Sequence, residues 1–181
     1  MSLIKSHELD AENKLLILYL LSKMELPMSH GQITEFIIRM EFMDYYTLQE
    51  ALGEMTEKGW LESASENSED QTTTLFFLSP DGETMLELLQ EKLPQKTKGH
   101  INRYVNENYR EHKRRYENTA SYFPDMENDT FIVKCAIYED KRPIIELSIS
   151  VDTREQAKLI QANWKADASV LYGRIIDVLT D

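Results

Sequence analysis

From Leu15 to Leu21 seven apolar residues follow one another with no polar position between them. A helix that lies on a surface keeps a polar stripe, and this one has none. The predicted helix, Ala11 to Met24 with Asp10 as its cap, is therefore buried on more than one side. Glu25-Leu26-Pro27 ends it, because proline cannot continue the hydrogen-bond ladder. Ser29-His30-Gly31-Gln32 has the spacing of a capping box. Behind it Ile33, Phe36, Ile37 and Met40 recur on one helical face. Thr47-Leu48-Gln49-Glu50 has the same spacing and opens a third helix to Lys58, with Leu48, Ala51, Leu52 and Met55 inward. Gly59 sits where a left-handed C-terminal cap is expected. Two capped helices joined by a short connection read as a helix-turn-helix.

The period then changes. Trp60 to Ser65 and Thr72 to Leu78 read as strands, joined by the polar loop Glu66 to Gln71. Ser79-Pro80 caps a fourth helix running to about Leu93, before Pro94. Gln95 to Tyr116 is a polar helix with Ile101, Tyr104, Val105 and His112 at helical spacings. Thr119 to Phe123 is a short strand. Phe131, Val133, Cys135 and Ile137 alternate along a second, and Ile145, Leu147, Ile149 and Val151 along a third, with a turn at Asp140-Lys141-Arg142. Thr153 to Gln156 forms another capping box, opening a helix through Trp164, and Asp167 caps a last one.

The predicted fold class is α+β: an N-terminal winged helix-turn-helix over residues 1–93, a basic connecting helix over 94–118, and a small antiparallel sheet covered by two helices over 119–181. Three helices, a hairpin and a closing helix is the winged-helix order. Leu75 to Gly82, with its Leu-Ser-Pro-Asp-Gly run, resembles the wing-to-helix junction of MarR-like and PadR-like regulators. Lys58-Gly59-Trp60-Leu61 resembles their exit from the recognition helix. Tyr45-Tyr46-Thr47-Leu48-Gln49, with Trp164-Lys165 and Tyr172, is similar to an uncharacterised family of bacterial winged-helix proteins, a domain of unknown function. These resemblances imply a DNA-binding protein that regulates transcription. Met1 to Glu12 is polar, with no apolar run before a small-residue cleavage site, so a cytoplasmic protein is expected.

Charge complicates that expectation. The net charge is −12. Residues 1–91 carry −13, residues 92–115 carry +6 and residues 116–181 carry −5, counting Lys and Arg against Asp and Glu. A local basic segment in an acidic chain says more than the total. The third helix of a helix-turn-helix enters the major groove with its first residues at the base edges. Here these are Tyr45, Tyr46, Thr47, Gln49 and Glu50. Gln49 suits adenine and Glu50 suits cytosine. Ser29 and His30, at the start of the second helix, can meet phosphate. The wing loop, with Glu66, Glu69 and Asp70, would repel DNA. The connecting helix, with Lys98, Arg103, Arg110, Lys113, Arg114 and Arg115, supplies the cations that phosphate binding needs. The alternative reading is a winged-helix module that binds protein and not DNA.

No catalytic, metal or cofactor site is expected. The four histidines have no ligand spacing, Cys135 is alone, and no glycine-rich phosphate loop or Gly-x-Ser-x-Gly elbow is present. No apolar run approaches the roughly 18 residues of a membrane span, so no membrane partner is expected. The expected partners are double-stranded DNA and a second copy of the chain. Dimer contacts are expected on the first helix and on the stripe Ile101, Tyr104 and Val105. A small effector can sit in the C-terminal part, between walls made by Trp164 and Tyr172.

Overall fold

Every residue from Leu15 to Leu21 is at most 6% exposed, and this run organises the first half of the molecule. The computed structural model describes the backbone of residues 2–67, 72–139 and 142–181. The chain is α+β. Among the described residues it has six α-helices and two antiparallel three-stranded sheets. It divides into two compact units, Met1–Glu66 with Thr73–Tyr109, and Asn67–Thr72 with Arg110–Asp181.

The first unit opens with α1 (Ser2–Met24). Its start differs from expectation. Nothing between Ser2 and Leu9 breaks a helix, so the helix continues through Asp10 and that residue caps nothing. Asp10 pairs one turn on with Lys14, at 2.6 Å. After α1 comes β1 (Met28–Ser29), two residues long and too short to leave a pattern in the sequence. Then follow α2 (His30–Arg39) and α3 (Tyr45–Glu57). The capping box at Ser29 is present: its Oγ accepts from the Gln32 amide at 3.2 Å, and its own amide donates to Gln32 Oε1 at 2.8 Å. The expected second box is not the cap. Asp44 lies three residues before Thr47, accepts from its amide at 2.9 Å and starts α3 at Tyr45. Asp is the stronger cap residue, and that advances the helix by about one turn.

β2 (Leu61–Asn67) and β3 (Thr72–Leu78) follow, and β3 lies between β1 and β2. Met28 stands opposite Phe76 and Ser29 opposite Leu75, so the cap residue of α2 is also a strand residue. The expected loop residues Glu69 and Asp70 lie outside the described residues, as does the side chain of Glu66. α4 (Pro80–Leu89) is capped by Ser79, then a single 3-10 turn, Gln90–Lys92, leads to buried Leu93. α5 spans Gln95–Glu117, its residues up to Tyr109 belonging to the first unit and those from Arg110 to the second.

The core joins Leu15 to Leu21 with Ile33, Phe36, Ile37, Leu48, Ala51, Leu52 and Met55, the inward faces expected of α2 and α3. Ile101 and Val105 of α5 complete it. The surface expected to hold a second copy is thus largely used within one chain: Ile101 is fully buried and Val105 is 8% exposed. Tyr104 packs its ring 4.2 Å from that of Phe36.

The second unit contains β4 (Asn118–Asp125), β5 (Thr130–Glu139) and β6 (Arg142–Val151), in the order β4-β5-β6. Asp140 and Lys141 of the expected turn lie outside the described residues. Pro124 falls inside β4, where an edge strand tolerates it. α6 (Arg154–Thr180) is one run where two helices were expected. Its backbone leaves helical geometry at Asp167 (φ −133°, ψ 31°), so it forms two segments joined by a kink. Thr153 caps it, accepting from the Gln156 amide. Its inner side closes the core of Tyr122, Val133, Cys135 and Trp164. The Trp164 indole donates to the Ala136 carbonyl at 3.2 Å, and Gln161 donates to the Ala120 carbonyl at 3.0 Å. Burial pushes the Cys135 thiol up to about 11, as befits a small core side chain.

Candidate nucleic-acid interface

The start of α3 presents two aromatic rings. Tyr46 is 84% exposed and Tyr45 49%, with ring centroids 6.0 Å apart. Asp44 holds the turn beneath them. Its carboxyl is kept below the ordinary carboxylate value, chiefly by the hydrogen bond from the Thr47 amide and then by the Thr47 hydroxyl. Thr47 is therefore engaged in the cap. Glu50 and Gly53 are exposed on the following turn.

Gln49 is not aimed at solvent. His30 Nε2 and Gln49 Oε1 are 2.8 Å apart, the histidine donating, and Gln49 Nε2 is buried without a partner. The His30 ring lies 6.3 Å from Tyr45 and 6.4 Å from Phe76. The two residues expected to touch separate parts of DNA instead join α2 to α3, with the His30 ring near β3. Spacing alone could not reveal that link, because 19 positions separate the partners. Ser29 has both its oxygen and its amide committed to the cap.

Further along α3, Glu54 accepts from Lys14 at 2.7 Å and lies 3.5 Å from Lys58. Its carboxyl is held below the ordinary value, first by the Lys14 hydrogen bond and then by that ion's charge. Burial alone would lower Lys14. Its hydrogen bonds to Asp10 and Glu54 outweigh that and raise it. Lys58 lies 5.1 Å over the Trp60 ring.

The α5 cations differ among themselves. Lys98 is buried, at 9% exposure. Lys113 pairs with Glu117 at 3.6 Å, and Arg115 pairs with Glu111. Arg103, Arg110 and Arg114 are exposed. With exposed Lys96 they recur at spacings of seven, seven and four, which align on one side of a helix.

The exit from α3 is tightly built. The Ser79 hydroxyl donates to the Gly59 carbonyl at 2.6 Å and accepts from the Gly82 amide at 3.0 Å. The Ser79 amide donates to the Trp60 carbonyl at 3.2 Å. Gly59 has φ +72°, the left-handed cap expected of it.

The second unit holds a groove of about 480 Å³ between β6 and α6, lined by Leu147, Ile149, Trp164, Leu171, Ile175 and Val178 among others. Of the two residues named as walls of an effector site, Trp164 lines this groove and Tyr172 does not. Its other apolar residues come together only through packing, which no local pattern marks.

A family model described as a domain of unknown function (DUF4364) matches residues 13–179. No curated protein and no solved structure matches the chain. Among the described residues no helix is long and apolar enough to cross a membrane.

Proposed function

The chain belongs to the DUF4364 family, and we propose that it is a DNA-binding transcription regulator whose first unit is a winged helix of the MarR-like and PadR-like kind. The observation that carries this reading is the order of three helices, a hairpin and a closing helix, with β1 tying the start of α2 to the hairpin strand β3. That order leaves the first turn of α3 exposed, as a helix read into the major groove requires.

In this reading Tyr45, Tyr46 and Glu50 meet the groove. Gln49 acts through His30, keeping α2 and α3 in register, and Ser29 holds the N-terminus of α2 toward phosphate. Salt-dependent affinity comes from α5, because counterion release needs cations and α3 offers only Lys58. Arg103, Arg110 and Arg114 carry it, with lesser shares from the paired Lys113 and Arg115 and from buried Lys98.

The test is selection of genomic fragments by the purified full chain at low salt, followed by titration of the enriched fragment at several salt concentrations. Enrichment of a short motif is expected. Changing Arg103, Arg110 and Arg114 to alanine is expected to weaken binding on every sequence and to flatten the log–log salt slope by about 2 to 3, roughly 0.9 for each phosphate no longer neutralised. No enrichment, or an unchanged slope, overturns the reading.

One observation favours a protein-interaction module instead. Two exposed tyrosines near Asp44 and Glu50, with Glu57 at the far end of α3, give that helix an aromatic and acidic surface, of a kind enriched in protein contacts for its rings and unsuited to phosphate for its charge. Recovery of one stoichiometric protein partner, abolished by Tyr46→Ala, with no DNA enrichment, would put that reading first.

A further inference from the structure

The groove of the second unit is open along its outer side. Val178 and Leu179, the last apolar residues of α6, form part of its lining yet are 77% and 76% exposed. α6 packs chiefly on β4 and β5, and β6, an edge strand, is the least covered of the three. A single exposed leucine needs no explanation. Two exposed aliphatic side chains that also line an apolar groove are a different case, because they extend it into one contiguous apolar surface, and such surfaces mark contact sites when they are large.

We propose that a second copy of this chain occupies the groove, with α6 against α6 about a two-fold axis. Three features select this occupant. The first is self-complementarity. Val178 and Leu179 project apolar surface, and Leu147, Ile149 and Leu171 border apolar space, so a two-fold axis lets each copy fill what the other leaves open. The second is charge. The exposed side of α6 carries Arg174 and, three residues on, Asp177. Antiparallel segments centred between Ile175 and Ile176 set each Arg174 against the other copy's Asp177, which gives two ion pairs. Parallel segments would set like charge on like. The third is extent. A small molecule filling the groove leaves the outward surface of Val178 and Leu179 in water. A second helix covers it. Standard interfaces take about 800 Å² from each partner, and the edge strand β6, next to the groove, is where further contact would be added. Edge strands are the usual place for such addition. The proposal does not depend on DNA binding.

Sedimentation velocity on the full chain tests it, from about 1 to 100 µM, a range that brackets micromolar dimers. The expected result is a species of twice 21.2 kDa that dissociates on dilution. Val178→Asp with Leu179→Asp is expected to give monomer with unchanged circular dichroism, since both side chains are already exposed. Arg174→Asp sets Asp against Asp177 and is expected to weaken the dimer about tenfold, because two ion pairs per dimer are broken. Adding Asp177→Arg to it is expected to restore the wild-type constant, which no general loss of fold would do. Three results overturn the proposal: a wild-type monomer throughout the range, a dimer indifferent to the double aspartate variant, or a monomer that native mass spectrometry finds holding an amphiphile.

Discussion

Replacing Gly82 with alanine reverses the usual sign of that substitution. In an open helix the change gains about 0.8–1 kcal/mol, because glycine loses more backbone freedom on folding. Gly82 is the third residue of α4, and a Cβ there would stand 2.1 Å from the Trp60 carbonyl oxygen and 2.9 Å from Leu78 Cδ1. The leucine can turn aside. The carbonyl cannot move freely, because it accepts from the Ser79 amide, while the preceding carbonyl, of Gly59, accepts from the Ser79 hydroxyl. Making room means drawing α4 away from the exit of α3 and loosening both bonds. Overpacking costs about 1–3 kcal/mol, and each hydrogen bond adds about 1. Set against the propensity gain, the net loss is about 2–4 kcal/mol. In a chain of this length that lowers Tm by about 4–16 °C. Differential scanning calorimetry reads it directly. Gly53→Ala is the control: nothing lies within 4 Å of a Cβ at that position in α3, and Tm is expected to rise by about 2–4 °C. If Gly82→Ala melts with or above the wild type, the close approach to Trp60 does not hold α4 in place.

Two further expectations rest on polar contacts. Glu54 is depressed below its ordinary 4.5, so the stability it contributes is present above that pH and is lost as pH falls through the lowered value. Lys14 is raised above 10.5, so its share is present below that pH and is lost as pH rises through the raised value. Glu54→Gln is therefore expected to lower Tm near neutrality and to converge with the wild type in acid, read from melting curves across pH. Parallel curves at every pH would rule this out. Trp164→Phe removes the bond to the Ala136 carbonyl and some core volume, at a cost of about 1–3 kcal/mol. Trp60, the other tryptophan of the chain, then reports the first unit alone, and urea denaturation followed by circular dichroism reads the loss in the second.

Elements with strong period or strong punctuation were legible from the residues. Ile33, Phe36 and Ile37, then Leu48, Ala51, Leu52 and Met55, face the core as their spacing requires, and Ser29, Ser79, Thr153 and Gly59 act at their helix ends. Boundaries failed where two local solutions competed. Asp44 outbids Thr47 for the start of α3, and Asp10 is passed over because nothing upstream stops α1. The stripe on α5 was correctly apolar, but a pattern says that a face is buried and not by what. Phe36 and its neighbours cover it, and no second copy is needed there. The candidate interface suffered in the same way. That Gln49 turns toward His30 depends on a contact between helices, and only the folded chain brings those side chains within 2.8 Å.

The clasp on Lys14 changes how repulsive α3 is to an approaching anion. By formal count the helix carries Glu50, Glu54 and Glu57. Glu54, however, lies against Lys58 and against the buried Lys14 ammonium, which it shares with Asp10, so the two acids and two cations of this cluster balance. Seen from outside, that cluster is close to neutral. A phosphate chain passing over α3 meets two uncompensated acids, not three, and they stand at positions 50 and 57, two helical turns apart. The field along the helix is then uneven, weakest in the middle beside Gly53, where the absence of a side chain also lets a partner's backbone come nearest.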